Sequence, residues 1–236
     1  MEKVLHKADT RGFAEHGWLT ARHTFSFADY RDPERTHFGL LRVLNDDIVQ
    51  PGKGFGMHPH DNMEIVTIPI EGALEHKDNM GNGSVIRPHD IQIMSAGTGV
   101  YHSEFNHSRL DPVNLLQIWI FPKERNITPR YDQKTYHPES LHNRFQLLVS
   151  PKEDPSVLWI NQDAWFSLGQ FDAGRHIHYA WFNKGHGLYI FVIEGKVRVG
   201  GETLNRRDGF GVWETDQLSF EMVESSRVLL MEIPMN

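Results

Sequence analysis

The sequence contains no cysteine, and this absence excludes several kinds of site. Without thiols there are no disulfides, zinc ribbons, iron–sulfur clusters or cysteine nucleophiles. Acidic residues outnumber basic ones by 31 to 24, and the net charge of -7 gives no basic face for nucleic acid. No stretch approaches the roughly 20 apolar residues of a membrane span, and the start lacks the apolar run of a signal peptide. We therefore expect a cytoplasmic protein, taken to be a monomer, that binds neither nucleic acid nor membranes directly.

Short alternating hydrophobic runs, such as residues 115–120 and 189–193, are separated by glycine, proline, asparagine and aspartate. No helical stripe is longer than about three turns, so the pattern predicts an all-β protein built as a sandwich or barrel. The chain has 236 residues, enough for one large β domain or two small ones. Residues 122–155 hold five of the 12 prolines. We place a domain boundary inside this segment, which predicts domains at 1–134 and 135–236.

Two tripeptides, His-Pro-His at 58–60 and His-Ser-Glu at 102–104, are candidates for one metal site. In each, the outer residues lie two positions apart and face the same side of a strand. A His-x-His pair should occur about once by chance in a chain with 15 histidines, and a second pair does occur at 176 and 178. Glycine-rich turns precede both tripeptides, whereas nothing comparable follows the second pair. The predicted ligands are therefore His58, His60, His102 and Glu104, with His176 and His178 expected on the surface.

An internal repeat supports two domains. The sequence Ile-Glu-Gly occurs at 70–72 and again at 193–195, each time followed by a strand and an acidic turn. In the first copy, the four candidate ligands lie at fixed numbers of residues before the glycine of Ile-Glu-Gly and after the aspartate of the acidic turn. In the second copy the same numbers of residues lead to Trp181, Asn183, Phe220 and Met222. We therefore expect a C-terminal domain that keeps the frame of the repeat and lacks its ligands.

The N-terminal half resembles a cupin. Residues 52–60 fit the first cupin motif, a glycine followed by His-x-His, and residues 97–106 fit the second. Glu64 departs by one residue from the usual position of the cupin glutamate. This departure, together with His-Pro-His and His-Ser-Glu, resembles the pirin family, and the likeness covers most of residues 12–135. The resemblance implies a bicupin, with two jelly-roll β-barrel domains in tandem and metal only in the first, held by His58, His60, His102 and Glu104.

Three neutral imidazoles and one carboxylate would leave one or two coordination positions of a divalent ion open. A structural zinc ion would more often be enclosed and held by cysteine, so an open catalytic site is favoured. Mixed histidine and carboxylate ligands suit Fe(II), while Mn, Ni, Cu, Co and Zn remain alternatives because ligand type alone does not select among them. Glu104 could also leave the ion and accept a proton as a general base.

Other residues near the two tripeptides have plainer interpretations. Glu64 is expected to point inward and hold a ligand imidazole by its other ring nitrogen. Met57, Met63, Met94 and the strand of Trp119 could line a pocket for a flat aromatic substrate, but apolar residues in strands more often fill the core. His76, on a strand expected to lead away from the candidate ligands, is expected on the surface.

Two functions from different classes are consistent with these features and with the resemblance. The first is a metal-dependent dioxygenase that uses dioxygen to open the ring of a flavonol, as in quercetin 2,3-dioxygenase activity. The second is a non-enzymatic regulator in which the oxidation state of iron controls binding to a protein partner. The glycine-rich segments that precede both tripeptides leave room beside the ion, and this favours the enzyme.

Overall fold

A computed structural model describes every residue of the chain, from Met1 to Asn236. It confirms the all-β prediction, with 22 strands and one four-residue helix, α1 (Pro138–Leu141). No helix is long and apolar enough to cross a membrane. The strands are β1 (Glu2–His6), β2 (Gly12–Glu15), β3 (Leu19–His23), β4 (Leu41–Val49), β5 (Gly54–His60), β6 (Glu64–Glu71), β7 (Leu74–Asp78), β8 (Gly83–Ile86), β9 (Asp90–Ser95), β10 (Val100–Asn106), β11 (Val113–Ile120), β12 (Arg130–Thr135), β13 (Phe145–Ser150), β14 (Leu158–Trp159), β15 (Trp165–Phe171), β16 (His176–Ala180), β17 (Gly187–Glu194), β18 (Lys196–Val199), β19 (Glu202–Asn205), β20 (Gly209–Trp213), β21 (Gln217–Met222) and β22 (Ser226–Ile233).

The strands form two jelly-roll domains of the same topology, as the cupin resemblance predicted. In the N-terminal domain a seven-stranded sheet of order β12-β9-β6-β11-β4-β3-β2 faces a four-stranded sheet of order β5-β10-β7-β8. The C-terminal domain has sheets of order β1-β20-β17-β22-β15-β13-β14 and β16-β21-β18-β19. The two sets of orders correspond except at one end of the large sheets, where β2 pairs antiparallel with β3 whereas β14 pairs parallel with β13. Gly72 and Gly195 follow corresponding strands and have φ of 76° and 87°, which explains the repeated Ile-Glu-Gly sequence.

The division between the domains does not follow chain order. β12 pairs with β9 as far as Thr135, so the predicted boundary at 134/135 falls on the last residue of a strand of the N-terminal domain. The sheets change between β12 and β13. At the other end of the chain, β1 pairs with β20 and completes the sheet of the C-terminal domain. It takes the place that β12 has in the first domain.

The two seven-stranded sheets pack back to back and form the largest apolar cluster of the protein. Val66 and Ile68 contribute from one domain, and Phe191 and Met231 from the other. Because β6 also faces the interior of its own domain, almost all of its residues are buried. This explains its nearly continuous apolar sequence. Each fully buried side chain of this size contributes about 1.5–3 kcal/mol through removal of apolar surface from water.

The interiors of the two domains differ in polarity. The C-terminal interior is filled by a cluster of 16 buried hydrophobic residues, with Trp181, Phe220 and Met222 among them. The N-terminal interior has two smaller apolar clusters, one of seven residues with Leu74 and Leu115 and one of four with Ile65 and Met94. Buried polar side chains line the rest of it, and unpaired polar groups are costly inside a protein. The polar part of the first domain is therefore where a functional site is expected. Its buried polar side chains include Asn45, Asp47, Thr67, His76, Gln92, His102 and Glu104.

Candidate metal centre

The candidate ligands lie on two neighbouring antiparallel strands. In the pairing of β10 with β5, His102 is opposite His58 and Val100 is opposite His60. Alternation along each strand turns the histidines inward and turns Pro59 outward. Pro59 has no N–H to donate, and β5 tolerates it because this strand is at the edge of its sheet. A register shift between His102 and Glu104 interrupts the pairing at the site.

The three imidazoles form a compact triangle. Ring centroids are 4.8 Å apart for His58 and His60, 4.4 Å for His58 and His102, and 4.8 Å for His60 and His102. One nitrogen from each ring lies within 4.8 Å of the others, which is close enough for all three to bind one ion. Alternation turns His58 and His60 to one side of β5, and the pairing of β5 with β10 brings His102 to them; their role as metal ligands stays a prediction.

Glu104 is not part of this group of three histidines and shares only His102 with it. Its carboxylate forms a second group of three candidate ligands with His102 and His76, again within 4.8 Å. Gln117 Nε2 donates a hydrogen bond to Glu104 Oε2 at 2.8 Å, and Thr67 Oγ1 donates to Gln117 Oε1 at 2.9 Å. These two residues fix the orientation of the carboxylate. Gln117 and Thr67 were not predicted as site residues, although alternation on β11 and β6 places them on the inward face.

Several buried polar atoms at this point have no hydrogen-bond partner within the protein. They are both ring nitrogens of His102 and Oε1 of Glu104. A buried unpaired polar atom costs about 1–3 kcal/mol. Imidazole nitrogen and carboxylate oxygen are both ligands of divalent transition metals. The residues therefore fit a metal ion, which would satisfy these atoms together.

The protonation states also suit a metal. Burial lowers the pKa of His60 to about 4, with the neighbouring His58 adding to the effect. Burial likewise lowers the pKa of His102 to about 2, and His58 and His60 lower it further. Both rings are therefore neutral at pH 7, the state in which a nitrogen lone pair can bind a metal. Burial raises the pKa of Glu104 to about 7, while the hydrogen bond from Gln117 and the nearby hydroxyl of Thr67 lower it.

His58 is oriented by its own strand. Its Nδ1 lies 2.7 Å from the carbonyl oxygen of Gly56. Because a carbonyl can only accept, Nδ1 carries the proton, and Nε2 is left with a free lone pair. A hydrogen bond of this kind is the usual way in which a metal-binding histidine is held. The glycine-rich segment before His58 therefore supplies a backbone acceptor as well as space.

His76 was expected on the surface, and this prediction was wrong. Its side chain is fully buried, because β7 pairs with β10 in a register that places His76 opposite Glu104. The ring centroid of His76 is 5.3 Å from that of His102. Its nitrogens lie 3.3 Å from Asp78 Oδ2 and from Gln92 Nε2. Burial lowers the pKa of His76, while Asp78 opposes this effect.

Glu64 also differs from expectation. It is buried, but its Oε2 accepts hydrogen bonds from Ser95 Oγ at 2.8 Å and from the backbone N–H of Asn161 at 3.1 Å. Asn161 belongs to the C-terminal domain, so Glu64 joins the two domains and holds no ligand imidazole. The even spacing from His60 is misleading because a turn with Asn62 at φ 46° separates β5 from β6.

The remaining predicted residues divide into surface, core and pocket. His176 and His178 are exposed, as expected, and Met94 is buried in the core. Met63 and Trp119 instead line a mainly apolar cavity of about 280 Å³ with Phe27, Val43 and Phe121. The Trp119 ring lies edge-to-face with His60, with centroids 4.9 Å apart. An apolar space therefore adjoins the candidate ligands, and Arg31 and Arg42 also line it.

Family models match both halves of the chain. The Pirin model matches residues 5–120, and the model of the quercetinase C-terminal cupin domain matches residues 147–233. A quercetin 2,3-dioxygenase of Escherichia coli strain K12 is 40% identical over 231 residues, which are 98% of this chain and 98% of the relative. The chain belongs to the pirin family.

Two further members support the assignment. A pirin-like protein of Caulobacter vibrioides is 38% identical over 227 residues and covers 95% of this chain and 96% of its own. The crystal structure of bacterial pirin YhhW from Escherichia coli in complex with nickel(II) is 39% identical, with a TM-score of 0.93 and 99% of each chain covered. The pirin resemblance drawn from the two tripeptides is confirmed, and a pirin of this fold has been obtained with a divalent metal.

Proposed function

We propose that this pirin is a metal-dependent dioxygenase that opens the ring of a flavonol such as quercetin. The observation that carries the proposal is the convergence of imidazoles and an unpaired carboxylate oxygen, together with an apolar cavity whose Trp119 ring contacts His60. A flat aromatic substrate needs such a cavity, whereas a structural ion does not. The quercetin 2,3-dioxygenase name of the relative from Escherichia coli supports the same reaction.

The ion would be held by His58, His60, His102 and Glu104. Three neutral imidazoles and one carboxylate leave a divalent ion with one positive charge and with open positions. We propose Fe(II) as the occupant, because mixed nitrogen and oxygen ligands suit it; the nickel(II) complex of the relative shows that another divalent ion is accepted in that protein. When bound, the metal supplies Lewis acidity and a meeting point for the substrate oxygen and dioxygen.

Glu104 would act as the general base. A flavonol must lose the proton of the hydroxyl beside its carbonyl before it reacts, and a base works best with a pKa near the working pH. Burial raises the pKa of Glu104 to about 7 in the metal-free protein, and a carboxylate that has left the ion would meet this requirement. Its Oε1 would bind the ion in one state and accept the proton in the other, while Gln117 holds Oε2. Trp119 and Phe27 would exclude water from the ring system of the substrate.

The experiment is anaerobic reconstitution of the metal-free protein with Fe(II), followed by quercetin and then oxygen. We expect loss of flavonol absorbance together with release of carbon monoxide, and both should require the metal. Tight iron binding without turnover would contradict the enzyme and would favour the redox-responsive regulator.

Variants separate the roles of the ligands. His102→Ala should lose most of its bound iron and remain folded, since the C-terminal domain needs no ion. Glu104→Gln should keep part of the iron and lose turnover, because an amide cannot accept the proton. His176→Ala is the matched control, since it removes an exposed histidine from a strand with no role in the site. Unchanged iron content in folded His102→Ala would contradict the proposed ligand set.

A further inference from the structure

Two arginines are buried where the N-terminal segment, β4 and the C-terminal domain meet. The side chains of Arg11 and Arg207 are only 3% and 6% exposed. Arg207 adopts a left-handed backbone conformation with φ 66°, which is uncommon for a residue with a side chain. Its N–H donates to the carbonyl oxygen of Val192. The fold therefore directs a permanently charged side chain into the interface between the domains.

These guanidinium groups have too few acceptors. The carboxylate of Asp46 lies between them, 3.4 Å from Arg11 Nη2 and 3.5 Å from Arg207 Nη1, and both distances are long for a charged pair. Arg207 Nη2 also donates to Asn114 Oδ1 at 3.0 Å. The Nε and Nη1 atoms of both arginines are buried without a hydrogen-bond partner. Four N–H-bearing nitrogens of two arginines that flank the same carboxylate are thus left unsatisfied.

The surrounding charges do not supply what is missing. Glu194 lies 3.5 Å from Arg207, but it is half-exposed and makes its short contact, 2.6 Å, with Arg206. Burial lowers the pKa of Arg227, and its proximity to Arg207 contributes to this effect, so a third cation is near. Phe191 covers one face of the Arg11 guanidinium, with 5.4 Å to the ring centroid, but an aromatic face does not replace in-plane acceptors.

We propose that Arg11 and Arg207 bind a small oxyanion between the two domains. Guanidinium groups recognise carboxylate and phosphate-type oxygens through paired N–H donors, and four such nitrogens are available here. One further negative charge would also compensate for two buried arginines whose carboxylate neighbours are Asp46, shared between them, and the half-exposed Glu194. The site is separate from the candidate metal centre, since Asn114 lies at the opposite end of β11 from Trp119. Because its ligands come from both domains, the anion would fasten one domain to the other.

Thermal unfolding at constant ionic strength tests the proposal. Sodium phosphate and sodium formate would each be titrated in exchange for sodium chloride, which distinguishes tetrahedral oxyanions from carboxylates. We expect a saturable rise in Tm with at least one of them. In Arg207→Gln the affinity should fall about tenfold or more, because a charge-assisted donor is lost. Arg198→Gln, which removes an exposed arginine of the same domain, should behave like the wild type.

A crystallographic measurement on the wild-type protein keeps the test independent of how the variants fold. Crystals soaked in sodium selenate should show an anomalous selenium peak between Arg11 and Arg207. Arg11→Lys, which keeps the charge and loses the paired donors, should lose this peak. Ordered water alone at this position, or a rise in Tm that is equal in Arg207→Gln and does not saturate, would overturn the proposal.

Discussion

Glu64 places a carboxylate in the interface between the domains, and Glu64→Gln should change how stability depends on pH. Burial raises the pKa of Glu64 from 4.5 to about 7, against the hydrogen bonds from Ser95 and Asn161. A difference of this size between folded and unfolded chains corresponds to about 3 kcal/mol. Since the folded pKa is the higher one, the stabilising contribution is complete below pH 4.5 and is lost as the pH rises to about 7. Glutamine does not titrate, so the variant should not show this loss.

The assay is urea unfolding of the metal-free protein between pH 4 and pH 8, for the wild type and for Glu64→Gln. The free energy of unfolding of the variant, relative to that of the wild type, should increase by about 3 kcal/mol across this range. Glu71→Gln is the matched control, because it removes an exposed carboxylate from the other end of β6. Other titrating groups cancel in the comparison. A difference between variant and wild type that does not change with pH would refute the reasoning.

Three further variants test the site and the core. Gln117→Leu removes the donor that orients Glu104, so metal affinity measured by chelator competition should fall about 10–100-fold in a folded protein; unchanged affinity would contradict this role. Ile190→Ala empties a fully buried position of the C-terminal core and should cost about 2–5 kcal/mol in urea unfolding. Metal content per folded chain should stay the same in Ile190→Ala, and its loss would show that the site depends on the second domain. The double variant His176→Ala and His178→Ala should keep its full metal content by elemental analysis, because both rings are exposed.

The parts of the site that could be predicted from the sequence are those that depend on one strand at a time. His58 and His60 face the same side because alternation is a local property, and the same holds for His102 and Glu104. The prediction for Glu64 failed because it assumed that the alternation of side chains along β5 continues through the turn into β6.

His76 shows a different limit of sequence reasoning. The sequence of β7 is mainly polar and suggests an exposed strand. The inward position of His76 depends on the pairing of β7 with β10, which cannot be predicted from the local sequence. Gln117 and Thr67 were missed for a related reason. Polar residues within apolar strands can be read as part of the interior only when the facing strands and the buried carboxylate between them are known.

The fold shows the same division between local and long-range information. The strands and the two copies of the unit follow from alternation, turns and the repeated Ile-Glu-Gly sequence. The allocation of β1 to the C-terminal sheet does not, because an edge strand of alternating residues can pair with either domain. The boundary predicted at 134/135 lies at the end of β12, and the division of the chain into domains at that point stays a prediction.

The pairing of β1 with β20 has a consequence for synthesis on the ribosome. Val4 is synthesised long before its partner Gly211, with the whole N-terminal domain between them. Until then β1 has no sheet to join, and the edge of β20 stays open until β1 arrives. The nascent chain must therefore keep β1 available while the N-terminal domain folds. A bulky insertion directly before β1 should slow the pairing of β1 with β20 more than the same insertion directly after β22.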